Sequence, residues 1–180
     1  GLKKEKSLIR FISHYLLNVR NDNKVSGALP HLKFINIYHI EGKRKLSITK
    51  EGLKFMNLRN PILDMLDKDL SNSDRLSLSH SLSDAEIGFI LNHLKKNLKN
   101  EYFAIKKILH CIYSGKDTPA LVVNKMRSDL SGIVGSPAFE TLTTGLISRC
   151  TELRLIGKKR EKLNVRYVLT DTGIKILGDK

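Results

Sequence analysis

Hydrophobic positions recur with two different periods along the chain, and each change of period marks a predicted element. Apolar residues recur every three or four positions over Ser7–Val19, which predicts an amphipathic helix. The same period returns in four stretches over Ser83–Cys150. Two shorter stretches, which begin at Ile35 and Leu153, alternate instead. Each predicts a β-hairpin with a basic turn, EGKRK in the first and KKREKLN in the second.

Polar residues at the ends of these stretches predict where the helices begin. Ser83 and Glu86 have the spacing of a capping box. Thr118 and Ser136 each precede a proline, and the pair is typical of an N-cap followed by the first helical residue. Ser26 is the predicted cap of a short helix before the first hairpin.

One local pattern occurs twice, as RKLSITKEGLKFM near the beginning and RYVLTDTGIKIL near the end. Thr49 and Thr170 each stand where a strand becomes a helix, so their hydroxyls are predicted caps. Gly52 and Gly173 follow three residues later, where a missing side chain lets the helix lie close to the hairpin. The spacing of 121 residues indicates two copies of one unit rather than a short-period solenoid.

The charge distribution supports the same division. The 180 residues carry 32 Lys and Arg against 18 Asp and Glu, a net charge of +14. Residues 1–57 and 85–180 each contribute +8, and residues 58–84 contribute −2. The sequence therefore predicts a first domain over 1–58, a Ser- and Asp-rich joint over 59–84, and a second domain over 85–180. A basic excess of this size favours a polyanionic partner such as nucleic acid.

Other classes of function lack their motifs. No phosphate-binding glycine loop, nucleophile elbow or HExxH is present, and the histidines have no metal-ligand spacing. Asp22 and the run Glu41-Gly42-Lys43 loosely match a nuclease pattern, but Gly42 falls where the hairpin must turn. Cys111 and Cys150 lie on predicted apolar helix faces. We expect no enzyme activity, no cofactor and no metal site.

The targeting signals are also absent. No apolar run approaches the length of a membrane span, and no signal peptide is visible. We expect a cytoplasmic protein, located in the prokaryotic nucleoid-associated space, with no membrane partner.

The second domain resembles the winged helix-turn-helix family of DNA-binding proteins. Its residues Thr118–Leu130, Pro137–Cys150 and Leu153–Thr170, with the LTDTG exit, carry the resemblance. Residues 8–58 match the family in abbreviated form. The resemblance implies a mostly α fold with small β-hairpin wings (α+β), in two tandem copies.

In that family the last helix of the helical part enters the major groove, and the wing touches the backbone or the minor groove. A helical wheel of Pro137–Cys150 predicts a core face of Phe139, Leu142, Leu146 and Cys150. The candidate contacts opposite it and at its flank are Thr141, Thr144, Ser148 and Arg149. A solvated polar face or an interdomain contact is the alternative.

The wings supply the other candidate contacts. The second wing offers Lys158, Lys159, Arg160, Lys162 and Arg166, and the first offers Lys43, Arg44 and Lys45. Phosphate contact is the functional interpretation, and ordinary solvated loop charge is the alternative. His31 and Lys33 on the short helix complete the candidate set.

We therefore expect a protein that binds double-stranded DNA and controls transcription. One alternative is the DNA-recognition part of a larger restriction-type enzyme. Another is a winged-helix module for protein interaction. A second copy of the chain, as a homodimer, or attachment to a larger protein are the other partners that the sequence leaves open.

Overall fold

A computed structural model describes residues 18–19, 25–59, 82–130, 136–161 and 164–179 of the chain. The chain forms two compact units, Gly1–Arg59 and Asn60–Lys180. The division falls at the start of the predicted joint, most of which, residues 60–81, lies outside the described part. The described fold is mostly helical with small antiparallel hairpins, so the predicted α+β class is confirmed.

The N-terminal unit is built around one hairpin. Its described elements are β1 (Asn18–Val19), β2 (Val25–Ser26), α1 (Ala28–His31), β3 (Ile35–Ile40), β4 (Lys43–Ile48) and α2 (Lys50–Met56). Strands β1 and β2 pair antiparallel, and so do β3 and β4. Leu32 and Phe34 are buried between the hairpin and the helices, and the Phe34 ring stacks on Phe55 at 4.9 Å between centroids.

Two boundary predictions in this unit are wrong. The helix predicted over Ser7–Val19 does not reach Val19, because Asn18 and Val19 pair with Ser26 and Val25 in a short ladder. The remainder of that prediction lies outside the described residues. The N-cap of α1 is Gly27, with φ 122°, and not Ser26, which is taken up by the ladder.

The C-terminal unit contains five helices and one hairpin in its described part. They are α3 (Asp84–Asn97), α4 (Lys99–Tyr113), α5 (Pro119–Leu130), α6 (Ser136–Glu152), β5 (Ile156–Glu161), β6 (Asn164–Leu169) and α7 (Asp171–Gly178). The Ser83–Glu86 capping box is confirmed. The Thr118 hydroxyl accepts a hydrogen bond from the Leu121 N–H at 3.4 Å. Helix α6 begins at Ser136, one residue before the predicted start.

Helix α4 lies at the centre of this unit. The other four helices and strand β6 all contact α4. Its residues Ile105, Ile108 and Leu109 therefore have no exposed surface. Leu94 of α3, Val122 of α5 and Cys150 of α6 are equally buried. Cys111 and Cys150 are free, buried thiols, as the sequence predicted.

Thr170 joins the end of α6, which precedes the hairpin, to the beginning of α7, which follows it. The Thr170 hydroxyl donates to the carbonyl oxygens of Arg154 and Leu155, at 2.6 and 3.0 Å, and accepts the Gly173 N–H at 3.1 Å. It therefore caps α7 and ties it to the end of α6. Arg154, with φ 53°, is the left-handed residue that ends α6.

The N-terminal unit repeats this junction. The Thr49 hydroxyl donates to Lys33 and Phe34 oxygens at 2.9 and 3.1 Å and accepts the Gly52 N–H at 3.0 Å. Lys33 has φ 55°. The ladders also coincide at the offset of 121 residues, because Ile35 pairs with Ile48 as Ile156 pairs with Leu169. The two hairpin units therefore share the same strand register and the same threonine hydrogen bonds, as the local repeat predicted.

The predicted close approach at the repeated glycines is confirmed. A Cβ built on Gly173 overlaps the carbonyl oxygen of Leu155, and one built on Gly52 overlaps the carbonyl oxygen of Phe34. Each overlapped oxygen accepts the backbone N–H of the capping threonine, at 3.1 and 2.9 Å respectively. A side chain at either glycine would separate the helix from the hairpin.

The end of α7 is held against α3 and α4 by Asp179. Its carboxylate lies 2.9 Å from the Lys95 ammonium and accepts from the Tyr102 hydroxyl at 3.4 Å. Lys106 donates to its backbone oxygen. The hydrogen bond and the charge of Lys95 hold the pKa of the Asp179 carboxyl below its ordinary value of 3.8.

We expect Gly173→Ala to destabilise the C-terminal unit by roughly 1–3 kcal/mol, because its Cβ meets backbone that cannot rotate away. Gly88→Ala, in the middle of α3 with nothing within 4 Å of its Cβ, is the matched control. It should stabilise the protein by up to about 1 kcal/mol, as alanine does in an open helix position. Urea unfolding measures both. Equal effects of the two substitutions would contradict the close approach.

Asp179 should contribute to stability in a defined pH range. Because its folded pKa is lowered, its contribution is complete above the unfolded value, about 3.9, and is lost as pH falls through the lower folded value. An NMR carboxyl titration should therefore place Asp179 below 3.8. Lys95→Ala should move the midpoint back towards that value. A midpoint insensitive to Lys95→Ala would show that the pair does not form.

Candidate nucleic-acid interface

Helix α6 buries a different face from the one that the helical wheel predicts. Phe139 and Cys150 are buried as expected, at 4% and 0% exposure, but Leu142 is 52% exposed. Thr143 and Ile147 are buried in its place, at 1% and 5%. The buried face is turned because α6 packs against α4 and α5 together, and an isolated wheel does not contain that choice of partner.

The predicted outward face of α6 is nevertheless exposed. Thr141, Thr144 and Ser148 are all exposed, and Gly145 between them has open space around it. Hydroxyl and methyl groups of this kind can approach base edges, where serine and threonine hydrogen-bond in either direction. The exposed Glu152 ends the same face, and none of these residues is Lys or Arg, so the face carries no positive charge of its own.

Arg149, the cation predicted at the flank of this face, is bound to the protein. Its Nε lies 3.0 Å from a carboxylate oxygen of Glu101 on α4, and the two side chains are only 23% and 9% exposed. The pair joins α6 to the central helix. Arg149 therefore helps to position the helix.

The basic residues of the C-terminal hairpin, which is β5 with β6, lie on a strand and not in the predicted loop. Lys158, Lys159 and Arg160 are consecutive exposed residues of β5. The strands continue to the pair Glu161–Asn164, so the turn is shorter than the basic run suggested. Successive side chains point to opposite faces of the hairpin, which places Lys158 and Arg160 together. Lys162 lies outside the described residues.

The middle of this hairpin is fixed to the loop before α5. Arg166 donates to the Asp117 carboxylate at 3.2 Å, and the Tyr167 N–H donates to the Asp117 backbone oxygen at 2.7 Å. Lys159 lies directly across the ladder from Arg166. The pairs Lys158–Tyr167 and Lys159–Arg166 therefore lie in the part of the hairpin that is held to the helices, and the ladder continues beyond them to Arg160–Val165 and Glu161–Asn164.

The N-terminal hairpin, which is β3 with β4, carries its predicted cations in the same way. Glu41 and Gly42 form the whole turn, with φ values of 50° and 72°. Left-handed conformations at both positions are those of a two-residue hairpin turn. Lys43, Arg44 and Lys45 thus lie on β4, with Lys43 and Lys45 exposed and Arg44 half-buried. The turn also separates Glu41 from Lys43, which removes the rigid strand that the nuclease pattern needs.

The short-helix candidates are separated from each other by the helix end. His31 is the exposed last residue of α1, whereas Lys33 lies beyond it in the left-handed conformation that leads into β3. The prediction of Lys33 on the helix is wrong, because the chain must reverse there to enter the hairpin.

Sequence reasoning missed an apolar pair on the N-terminal hairpin. Tyr38 and Ile40 are 40% and 42% exposed and share one face of β3. The signal was available: in INIYHI every second residue is isoleucine or histidine, and Asn36, Tyr38 and Ile40 fall on the alternate face.

The remaining chemistry of the described ranges is limited. Burial raises the pKa of the Cys150 thiol to about 12, which keeps it protonated at neutral pH. No group of three or more His, Cys, Asp and Glu residues within those ranges is placed to hold a metal ion. None of the helices described is long and apolar enough to cross a membrane.

Comparisons of the chain with protein-family models, with curated proteins and with solved structures gave no match in any of the three.

Two neighbouring positions on α6 should differ in their contribution to the free energy of unfolding. We expect Arg149→Ala to destabilise the C-terminal unit by about 1–3 kcal/mol, because Glu101 loses a charged partner at a nearly buried site. Ser148→Ala, one residue earlier and exposed, should leave unfolding within about 0.5 kcal/mol of the parent. Chemical denaturation with a Glu101→Gln double-mutant cycle measures the coupling. Additive effects of Arg149→Ala and Glu101→Gln would rule out the pair.

Proposed function

We propose that the chain binds double-stranded DNA, and that each unit acts as a winged-helix module whose hairpin is the wing. The observation that carries the proposal is the run Lys158–Arg160, three consecutive cations exposed on a strand that follows α6 almost directly. A projecting basic hairpin next to an exposed, hydroxyl-bearing helix supports contact with phosphates and with groove edges together.

The electrostatics supports a division of roles between the two elements. The exposed face of α6 has no cation, and Arg149 is bound to Glu101. Attraction to the duplex therefore comes from the hairpins, and α6 contributes short-range contacts after docking. Binding of this kind depends strongly on salt, because each neutralised phosphate releases condensed counterions.

The repeat of one hairpin unit supports binding at two places on the same duplex. When one module is bound, the other is held at high effective concentration, and affinity rises without any new type of contact. Sequence-specific binding by two modules suits a transcriptional regulator. It suits equally the target-recognition part of a larger restriction-type enzyme.

A second candidate function, protein interaction, is favoured by the surface of α6. Leu142 is 52% exposed there, and the cation-free outward face ends at Glu152. A face of this composition is adapted to a protein surface as well as to a base edge. In that case the hairpin cations would be solvated charges without a ligand.

The test is a fluorescence anisotropy titration of the chain with a random-sequence duplex pool across salt, followed by sequencing of the bound fraction. If about six phosphates are neutralised, log K should fall with log salt at a slope near −5. Lys158→Ala with Arg160→Ala should reduce the slope by about 2, since each removes one phosphate contact. Enrichment of a motif would indicate a sequence reader.

The control removes the same charge elsewhere in the C-terminal unit. Lys96→Ala with Lys99→Ala changes two exposed lysines where α3 meets α4, so net charge alone predicts the same loss for both pairs. An unchanged slope for the hairpin pair would overturn its assignment as a wing. No binding at about 150 mM salt, the physiological range, would favour the protein-interaction function instead.

A further inference from the structure

The two hairpins have the same strand register, but the side chains on their outward faces differ. On the C-terminal hairpin Lys159 faces Arg166 across the ladder. At the equivalent positions of the N-terminal hairpin Tyr38 faces Lys45, and Ile40 faces Lys43 one pair closer to the turn. An apolar column therefore runs beside a basic column.

All four of these side chains are exposed. Tyr38 and Ile40 keep 40% and 42% of their surface, and Lys43 and Lys45 are exposed beside them. Ile35 and Ile48 lie on the opposite face of the ladder, where the Ile48 side chain approaches Gly52 of α2. Ile40 immediately precedes the two-residue turn, so it belongs to the last pair of the ladder, with only Glu41 and Gly42 beyond it.

Nucleic acid has the complementary chemistry. The ammonium groups of Lys43 and Lys45 match phosphates, and apolar side chains beside them match the faces of bases. Side chains two residues apart on a strand lie about 6.8 Å apart, which is two base steps of about 3.4 Å. A hairpin with cations alone could follow the phosphate backbone, whereas an isoleucine next to the turn can bury its side chain by entering the base stack.

We propose that the N-terminal hairpin enters the minor groove of duplex DNA and inserts Ile40 between two base pairs, with Tyr38 behind it, and so bends the duplex. The inference rests on the proposed DNA binding and adds a mode of contact to it. Apolar wedges of this kind unstack a base step and kink DNA by about 20–90°. The C-terminal hairpin, with lysine and glutamate at the equivalent positions 159 and 161, contacts phosphates without a wedge.

The experiment measures binding and bending separately on the full chain. A duplex of about three helical turns carries a donor and an acceptor at its ends, so that bending raises energy transfer, and anisotropy of a singly labelled copy reports binding. Ile40→Ala should bind but lose the rise in energy transfer. Ile40→Phe, which keeps an apolar wedge, should retain it.

Ile48→Ala is the matched control, because Ile48 is on the same hairpin at 43% exposure but on the opposite face. It should bend DNA as the parent does, and thermal unfolding confirms that each variant is folded. Bending by the parent, by Ile40→Phe and by Ile48→Ala, together with binding without bending by Ile40→Ala, would support the wedge.

Four other outcomes overturn it, and they lead to three distinguishable conclusions. Binding without bending by the parent, or equal bending by Ile40→Ala, removes the wedge and leaves the proposed DNA binding intact. Tighter binding to the single strand than to the duplex replaces insertion by stacking on unpaired bases. No duplex binding by the parent removes the proposed function and the wedge with it.

Discussion

The architecture of both units depends on one hydroxyl that serves two helices. Thr170 ties the end of α6 to the beginning of α7 through two carbonyl oxygens and the Gly173 N–H. These hydrogen bonds bring together the two ends of the hairpin, which runs from Ile156 to Leu169. Because the threonine N–H also bonds the carbonyl oxygen that the glycine must approach, threonine and glycine are required together. Thr49 and Gly52 meet the same requirement in the N-terminal unit.

This constraint fixes how the hairpins can vary. The residues at the junction and at the base of the ladder are committed to packing, as the burial of Leu155 and Ile156 shows. Side chains on the outward face and near the turn do not pack in the core, so these residues can be substituted without disturbing the fold. The two outward faces differ accordingly: Lys159 and Glu161 stand in one unit where Tyr38 and Ile40 stand in the other.

The ion pairs of the C-terminal unit divide its cations into two groups. Arg149, Arg154 and Arg166 are bound to Glu101, Asp84 and Asp117, and each pair joins elements distant in sequence. Lys158 and Arg160 are exposed on one face of β5. The count of 32 Lys and Arg residues thus overstates the number of cations that are available to a polyanion, since Arg149, Arg154 and Arg166 are already paired with carboxylates.

Local features were determined by the sequence alone: the helix periods, the capping box at Ser83, the threonine caps and the close approach at both glycines. Each depends on residues within one turn or one hairpin, so short-range spacing is sufficient. Tertiary structure decided which face of α6 is buried and which cations are engaged. Thr143 is buried and Leu142 exposed because α4 and α5 cover that side, and Arg149 is engaged because the fold brings Glu101, 48 residues away in sequence, within 3.0 Å.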